Sequence, residues 1–516
     1  MSEAPKFSLF SSGHWSAVSL KEHSFLAPLL PLFDTEIVEV FSLQEESFDR
    51  ISAQGLVAAL GTLEGQRIAV LYQDFRLNGG SFTTENSKKA NAFLEFIGEQ
   101  KIPLVMAFNS IGVGIMEGRK VFMDSFATMP SLFDLRAKNI PIFSVAMGRC
   151  LGLSAILFQM GHYRIAVREK SSFNLTGPEV IRLFFGGDTN FAKESSGERQ
   201  ISQNDLVQEL ADDSESAFLK IKALLSLYYG TPKSGVFSFP TTKLEGEHFS
   251  AQNLHSAEER LKEILLMVGE SAIEVFEQMS PVVKTFLVRR GEKTLGVFLN
   301  PPGHPNNLIG VAALERYHAA LSLFKSLGLP IISFLDTPGI DPRFEQQSED
   351  IIRSIVSVGK RIIQYPHGHM GFALGRCFGG ATTLAFPKNF RSKQCWAVKG
   401  CQFGVMSESI LEEILQNSPR LLEMRRNVRT EEKEDFSDMV ASGVIDGLIE
   451  RTEISAKVGE FLQELALPFI APQAEHKPRA RLHPQKPGES FDRRPRVRPR
   501  AKSPTRFPHL PPKYSQ

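Results

Sequence analysis

Cysteine is scarce in this 516-residue chain: four residues, at positions 150, 377, 395 and 401, none of them in a CxxC pair. That excludes a disulfide framework or a four-thiolate zinc site and reads as a reduced protein. No run approaches the roughly 18 apolar residues that a membrane span needs. The opening "MSEAPKFSLFSSGHW" lacks the basic, then apolar, then small-residue order of a secretory signal, so a cytoplasmic protein is expected. There is no GxxxxGK[ST] loop for a nucleotide phosphate. "GVGIMEG" has three residues between its last two glycines where a dinucleotide fingerprint has two. "HGH" at 367–369 offers two imidazoles but no third ligand in view, so no metal is expected. Cys150 or Cys377 as a nucleophile would need a histidine base that the sequence does not place, and both are expected to be small buried packing residues.

Apolar content is 42% and charged content 23%, within the globular range. The length exceeds one ordinary core and predicts two large domains or three small ones. The net charge of +1 is unevenly spread, because residues 477–516 hold 12 Lys/Arg against 2 Asp/Glu while the preceding residues carry −9. That tail also has nine prolines and almost no apolar periodicity. It cannot bury enough surface to offset the entropy of ordering, and a disordered Pro/Arg-rich segment is expected over 471–516. It is either an electrostatic arm for nucleic acid, membrane or an acidic partner, or a solubilising or vestigial extension.

The chain repeats itself. "GRCLG" at 148–152 returns as "GRCFG" at 375–379, 227 positions later. "IPLVMAFNSIGVG" from Ile102 and "LPIISFLDTPGID" from Leu329 share that offset, as do "IAVLYQ" from Ile68 and "LGVFLN" from Leu295. Three matches in one register indicate a duplicated domain, because solenoid repeats are only about 20–50 residues long. Within the first copy, "RIAVLYQDF", "IPLVMAF" and "IPIFSVAM" read as buried strands. "ENSKKANAFLEFIGEQ", "RKVFMDSFATMPSLFDLRAKN" and "LSAILFQM" read as helices. That alternation predicts an α/β fold. The expected layout is a mostly helical lead-in over 1–60, a first domain over 61–260 and a second over 261–470.

Each pentapeptide joins a strand to a helix start. The first N–H groups of a helix lack intrahelical acceptors and lie at the positive end of its dipole. Glycine there permits positive φ and close approach of a ligand to the backbone. Such a turn is either a tight connection or a pocket for a developing negative oxygen, where one well-aimed donor is worth about 3–4 kcal/mol. Its occurrence at two matched positions favours a pair of anion sites.

The order of motifs over roughly residues 60–465 resembles the acyl-CoA carboxyltransferase family of the propionyl-CoA carboxylase beta-subunit type. "DFRLNGGSF" (74–82) is similar to the family's D-F-x-x-x-G-G-S, and "NSIGVGIMEG" (109–118) to D-S-G-G-A-R-I-Q-E-G. "GRCLGLSA" (148–155) resembles G-P-C-A-G-G-A, and "NLTGPEVI" (174–181) resembles I-T-G-P-D-V-I. In the second half, "LPIISFLDTPGI" (329–340), "GRCFGGAT" (375–382) and "ASGVIDGLIE" (441–450) have their own counterparts. The resemblance implies two crotonase-like domains, with acyl-CoA and biotin meeting at a subunit interface in a dimer or hexamer. It implies that carboxybiotin releases CO2, that the biotin enolate removes the substrate's α-proton, and that the thioester enolate captures CO2. By carry-over, the N–H groups of Gly152 and Leu153 would hold the thioester oxygen, and those of Gly380 and Ala381 the biotin ureido oxygen. Gly79, Gly80, Gly112, Thr176, Gly177, Pro178 and Gly379 would line the ligand sites.

Several residues depart from the family pattern. Leu153 stands for the second glycine of the first site, where it would narrow the pocket or shift a donor. Asn109 replaces an aspartate, Gly114 an arginine, and Thr383 the aspartate usual on the biotin side. "VMSES" (405–409) replaces V-M-G-A-K, and "SSGERQIS" (195–202) lacks the expected S-G-V-A-H. No biotinyl-lysine segment or ATP-grasp domain is evident, so biotin is expected on a partner, a biotin carboxylase or carrier subunit. A decarboxylase of the same fold and a noncatalytic carboxylase-like scaffold are the alternatives.

Overall fold

The computed structural model of the chain describes residues 15–19, 24–34, 37–42, 55–186, 190–229, 257–304, 306–348, 350–385, 394–406, 408–416 and 436–466. The basic tail expected over 471–516 lies outside them. In the first half the strands are β1 (Trp15–Ser19), β2 (Val38–Ser42), β3 (Leu56–Leu63), β4 (Gln66–Gln73), β5 (Leu104–Ser110), β6 (Ile142–Leu151), β7 (Tyr163–Val167), β8 (Ser172–Asn174) and β9 (Glu209–Ala211). They form one sheet in the order β1-β2-β3-β4-β5-β6-β7-β9, with β8 paired to β6. The second half has β10 (Ser271–Glu274), β11 (Lys284–Arg290), β12 (Lys293–Leu299), β13 (Ile331–Thr337), β14 (His369–Phe378), β15 (Gln394–Val398), β16 (Gln402–Gly404) and β17 (Gly447–Ile449). Their order is β10-β11-β12-β13-β14-β15-β17, with β16 paired to β14.

The helices that matter below are α1 (Thr84–Gln100), α2 (Arg119–Ala137), α3 (Leu153–Phe158), α4 (Pro178–Phe185), α5 (Ser214–Tyr229), α6 (Ala257–Val268), α7 (Val311–Ser326), α8 (Ile351–Ile363) and α9 (Gly380–Ala385). Local chemistry sets their limits. Thr83 caps α1 by accepting the Asn86 N–H, and Lys101 ends it in a left-handed conformation. Parallel strands β4, β5 and β6 are buried along most of their length. Helices cover such sheets on both faces, which is why these strands read as continuous apolar runs.

The duplication carries through to register. β5 and β13, and β6 and β14, correspond residue for residue at the 227 offset. The β5–β6 ladder slips between Phe108 and Ser110, and the β13–β14 ladder between Leu335 and Thr337, the same place in each copy. The two copies share a core: one cluster joins Val70, Phe143 and Tyr163 to Phe276, Phe298 and Phe324. Tyr163 meets Phe276 edge-on at 5.0 Å.

The helical lead-in expected over 1–60 is not observed in its described parts. Strands β1 and β2 and a 3-10 segment, Ser24–Leu32, occupy them, and β3 begins at Leu56, so the expected boundary at 61 falls inside a strand. Sheet pairing of β2 with β3 overrides the local helical pattern. No described helix is long and apolar enough to cross a membrane.

Candidate active site

Each site begins where a buried strand stops. β6 ends at Leu151, and Gly152 turns the chain at φ 57°, ψ −127° into α3. β14 ends at Phe378, and Gly379, at φ 61°, turns it into α9. A short neighbouring strand holds each turn. The Gly152 N–H donates to the Asn174 carbonyl at the end of β8, and the Gly379 N–H donates to the Gly404 carbonyl at the end of β16, both at 2.9 Å. This corrects one expected role. The Gly152 amide is engaged inside the fold, and the next two amides of the first turn belong to Leu153 and Ser154. These two match Gly380 and Ala381 at the 227 offset, which puts the two sites in the same frame. Among the described residues, no acceptor is recorded for the Leu153 and Ser154 amides.

Leu153 does not narrow the site. It is 4% exposed and packs in the core of the first half with Phe82, Phe108 and Phe158. At Gly380, by contrast, a Cβ would meet no atom of the described residues within 4 Å.

The glycines expected to line the ligand sites are closely packed and bonded within the fold. A Cβ on Gly80 would lie 2.2 Å from the Asn109 carbonyl, and one on Gly112 would lie 2.8 Å from the Leu151 carbonyl. Gly80 donates to the Leu77 carbonyl and accepts from Gln73 Nε2, so both its polar groups are used internally. Gly79 accepts the Ile111 N–H. Gly112 donates to Ser110 Oγ at 3.0 Å and accepts the Phe82 N–H. The Thr176 N–H donates to the Asn174 side chain at 3.2 Å, while Gly177 and Pro178 start α4 beside the turn.

A buried polar relay, which the sequence motifs did not reveal, ties these pieces together. The Ser154 hydroxyl lies 2.9 Å from Ser110 Oγ and 3.3 Å from Gln73 Oε1. Gln73 in turn holds Gly80, and Ser110 holds Gly112. The start of α3 is therefore locked to the ends of β4 and β5. Its hydroxyl and amide partners lie far apart in sequence, and a lone serine in "GLSA" gives no signal of that role.

The two halves differ in charge. Asp336 is buried and accepts the N–H and Nε of Arg376, both at 2.9 Å, and the Gly303 N–H at 2.7 Å. In the first half Asn109 takes the Asp336 position. Its Oδ1 accepts the Arg149 N–H at 3.2 Å, so asparagine keeps the acceptor and drops the charge. The Arg149 guanidinium lies over the Phe75 ring at 5.2 Å instead. Cys150 and Cys377 are buried, and desolvation raises both thiols well above their ordinary value, as suits packing residues. His369 of the "HGH" stretch is buried with its Nε2 2.7 Å from Ser333 Oγ. The side chain of Thr383 lies outside the described residues.

A cavity of about 540 Å³ flanks the first turn, lined mainly by Ala155, Ile156, Met160, Phe173, Leu175 and Leu206. Its walls are mostly apolar, and it opens alongside α3.

A family model described as the carboxyl transferase domain matches residues 33–475. The methylmalonyl-CoA carboxyltransferase 12S subunit of Propionibacterium freudenreichii subsp. shermanii is 20% identical over 444 residues, covering 81% of this chain and 82% of that protein. The propionyl-CoA carboxylase beta chain of Cereibacter sphaeroides is 23% identical over 423 residues, covering 77% and 78%. A solved structure of transcarboxylase 12S with methylmalonyl-coenzyme A and methylmalonic acid bound matches with a TM-score of 0.68 at 20% identity, over 87% of this chain and 91% of that one. The likeness shows the fold, the duplicated crotonase-like α/β architecture.

Proposed function

The chain belongs to the carboxyl transferase domain family, and on that premise we propose that it is the carboxyltransferase subunit of a biotin-dependent acyl-CoA carboxylase. The observation that carries this reading is the matched pair of turns at Gly152 and Gly379, each opening a helix and each pinned by a short strand. Two anion sites are what a transfer between two carbonyl-like groups demands, because negative charge develops on one oxygen at each end of the transfer.

In this reading the amides of Leu153 and Ser154 hold the thioester oxygen of an acyl-CoA, and the acyl group lies toward the apolar cavity beside α3. Gly380 and Ala381 hold the ureido oxygen of biotin. Biotin arrives on a partner, a biotin carboxylase or carrier subunit, and supplies the carboxyl group. The turns orient the two carbonyls and stabilise the thioester enolate. No side-chain base is needed on this chain when the proton leaves to the other reactant. Asn109 and Asp336 each accept the backbone N–H of the arginine three residues before its turn.

Assembly with further copies fits the exposed apolar faces of two equivalent helices. Phe122, Met123 and Phe126 are exposed on α2, and Ile352 and Val356 on α8. Patches of this kind mark interaction surfaces. The similar transcarboxylase 12S is described as a hexamer assembly.

The test is release or transfer of the labelled carboxyl group from malonyl-CoA and methylmalonyl-CoA, with and without free biotin. Biotin-dependent loss of label supports carboxyl transfer. Loss without biotin points to a decarboxylase. No loss with either substrate, in folded and assembled protein, counts against a short-chain carboxyltransferase.

A further inference from the structure

Positive charge gathers where the two halves pack, away from both turns. Arg164 on β7 is 6% exposed, and its donors are taken by the carbonyls of Gly161, Asp205 and Leu206, with the Asp205 carboxylate 3.7 Å away. Arg136, at the end of α2, donates to the Met160 carbonyl and, at 3.1 Å, to Ser322 Oγ on α7. Arg361, on α8, donates through Nε to His318 Nδ1 on α7 at 3.0 Å. His318 and Ser322 are four residues apart, so they share one face of α7. Arg136 and Arg361 therefore reach the same helical turn from opposite halves of the chain.

The balance of charge is uneven. Among the described residues, neither Arg136 nor Arg361 has a carboxylate within 4.0 Å, and the one acid in the cluster is paired with Arg164. His318 adds no charge, because it accepts from Arg361 at Nδ1 and is therefore the neutral ring. Burial and the Arg361 charge push its pKa down to about 4. Ser357, one turn before Arg361 on α8, lies 3.3 Å from the same nitrogen. Arg136, His318, Ser322, Ser357 and Arg361 are each half-buried, so the cluster opens to solvent along one side. Guanidinium groups that are partly desolvated and unpaired are costly on their own and match the planar, two-pronged geometry of a phosphate.

We propose that this cluster binds a phosphate-class oxyanion, held between Arg136 of the first half and Arg361 of the second, with the hydroxyl of Ser357 as a further donor. The anion then ties α2 to α7 and α8 across the junction of the two halves. Either inorganic phosphate or a phosphate of a nucleotide or CoA would satisfy the site.

The full chain is titrated calorimetrically with sodium phosphate, and its thermal unfolding is followed in phosphate against sodium chloride at equal ionic strength. A saturable heat and a Tm rise of about 2 °C or more with phosphate alone are expected. Both are lost in Arg361→Gln and in Arg136→Gln. Ser357→Ala, which removes no charge and spares the packing, weakens phosphate several-fold and keeps the site testable if an arginine variant does not fold. Competition of CoA or ADP with phosphate in these titrations identifies a larger molecule's phosphate as the source, and simultaneous binding identifies the free ion. A wild-type response equal in phosphate and chloride, or one that persists unchanged in Arg136→Gln/Arg361→Gln, overturns the proposal.

Discussion

The Gly152 N–H donates to the carbonyl of Asn174 at 2.9 Å, tying the start of α3 to the end of β8. The same bond recurs at the second turn, where Gly379 donates to Gly404. Each bond orients the two amides that follow it. The Gly152 amide, which the sequence offers as an anion donor, is therefore spent on holding the turn.

Replacing either turn glycine tests this. Gly152 adopts φ 57°, ψ −127°, a conformation open in practice to glycine alone, and a side chain at a position of this kind costs about 1–3 kcal/mol. Gly152→Ala and Gly379→Ala are expected to lower the unfolding free energy by that amount, read as a lower denaturant midpoint, and to cut carboxyl transfer steeply. Unchanged stability in both variants would show that the turns are not held as described.

Equivalent positions after the turns should respond in opposite ways. Leu153 is core, so Leu153→Ala should cost about 2–4 kcal/mol of stability through lost packing. Gly380→Ile places bulk where a Cβ meets no atom of the described residues within 4 Å. That variant is expected to unfold within about 1 kcal/mol of wild type while losing transfer to biotin and keeping acyl-CoA binding. Equilibrium unfolding and the labelled-carboxyl assay read both. Biotin-dependent transfer surviving in Gly380→Ile would remove the second site from the reading.

Three histidines predict loss of stability in mild acid. Burial drives His369 down to about 3 and His318 down to about 4, and His162 lies well below its ordinary 6.5. The unfolded chain takes up these protons first, so the stabilisation is complete above about pH 6.5 and declines as pH falls toward the lowered values. The slope is at most about 1.4 kcal/mol per pH unit for each histidine. Denaturant midpoints between about pH 7 and 5 should fall, and His369→Gln should flatten the curve by up to one proton's worth. A flat wild-type profile over that window would contradict neutral burial of these rings.

Much of the architecture was readable in advance because it depends on short-range chemistry repeated in register. Buried parallel strands need unbroken apolar runs, and "IPLVMAF" and "IPIFSVAM" became β5 and β6. The gap-free offset of 227 survived as matching strands and matching ladder slips. The lead-in was misread because pairing across the sheet, as of Val38 with Leu60, has no local signature.

By itself, the sequence determined the duplication, the strand-to-helix turns and the glycines that make them possible, since these follow from residue size and backbone freedom. Only the tertiary structure decided that the Gly152 amide is held by Asn174, that Leu153 turns into the core, and that Ser154, Ser110 and Gln73 form one relay. It also decided that arginines 225 positions apart, Arg136 and Arg361, reach one turn of α7. Those outcomes depend on which distant segments become neighbours. A hydrogen bond or an unpaired charge is a property of the pair, and no single stretch of chain encodes the pair.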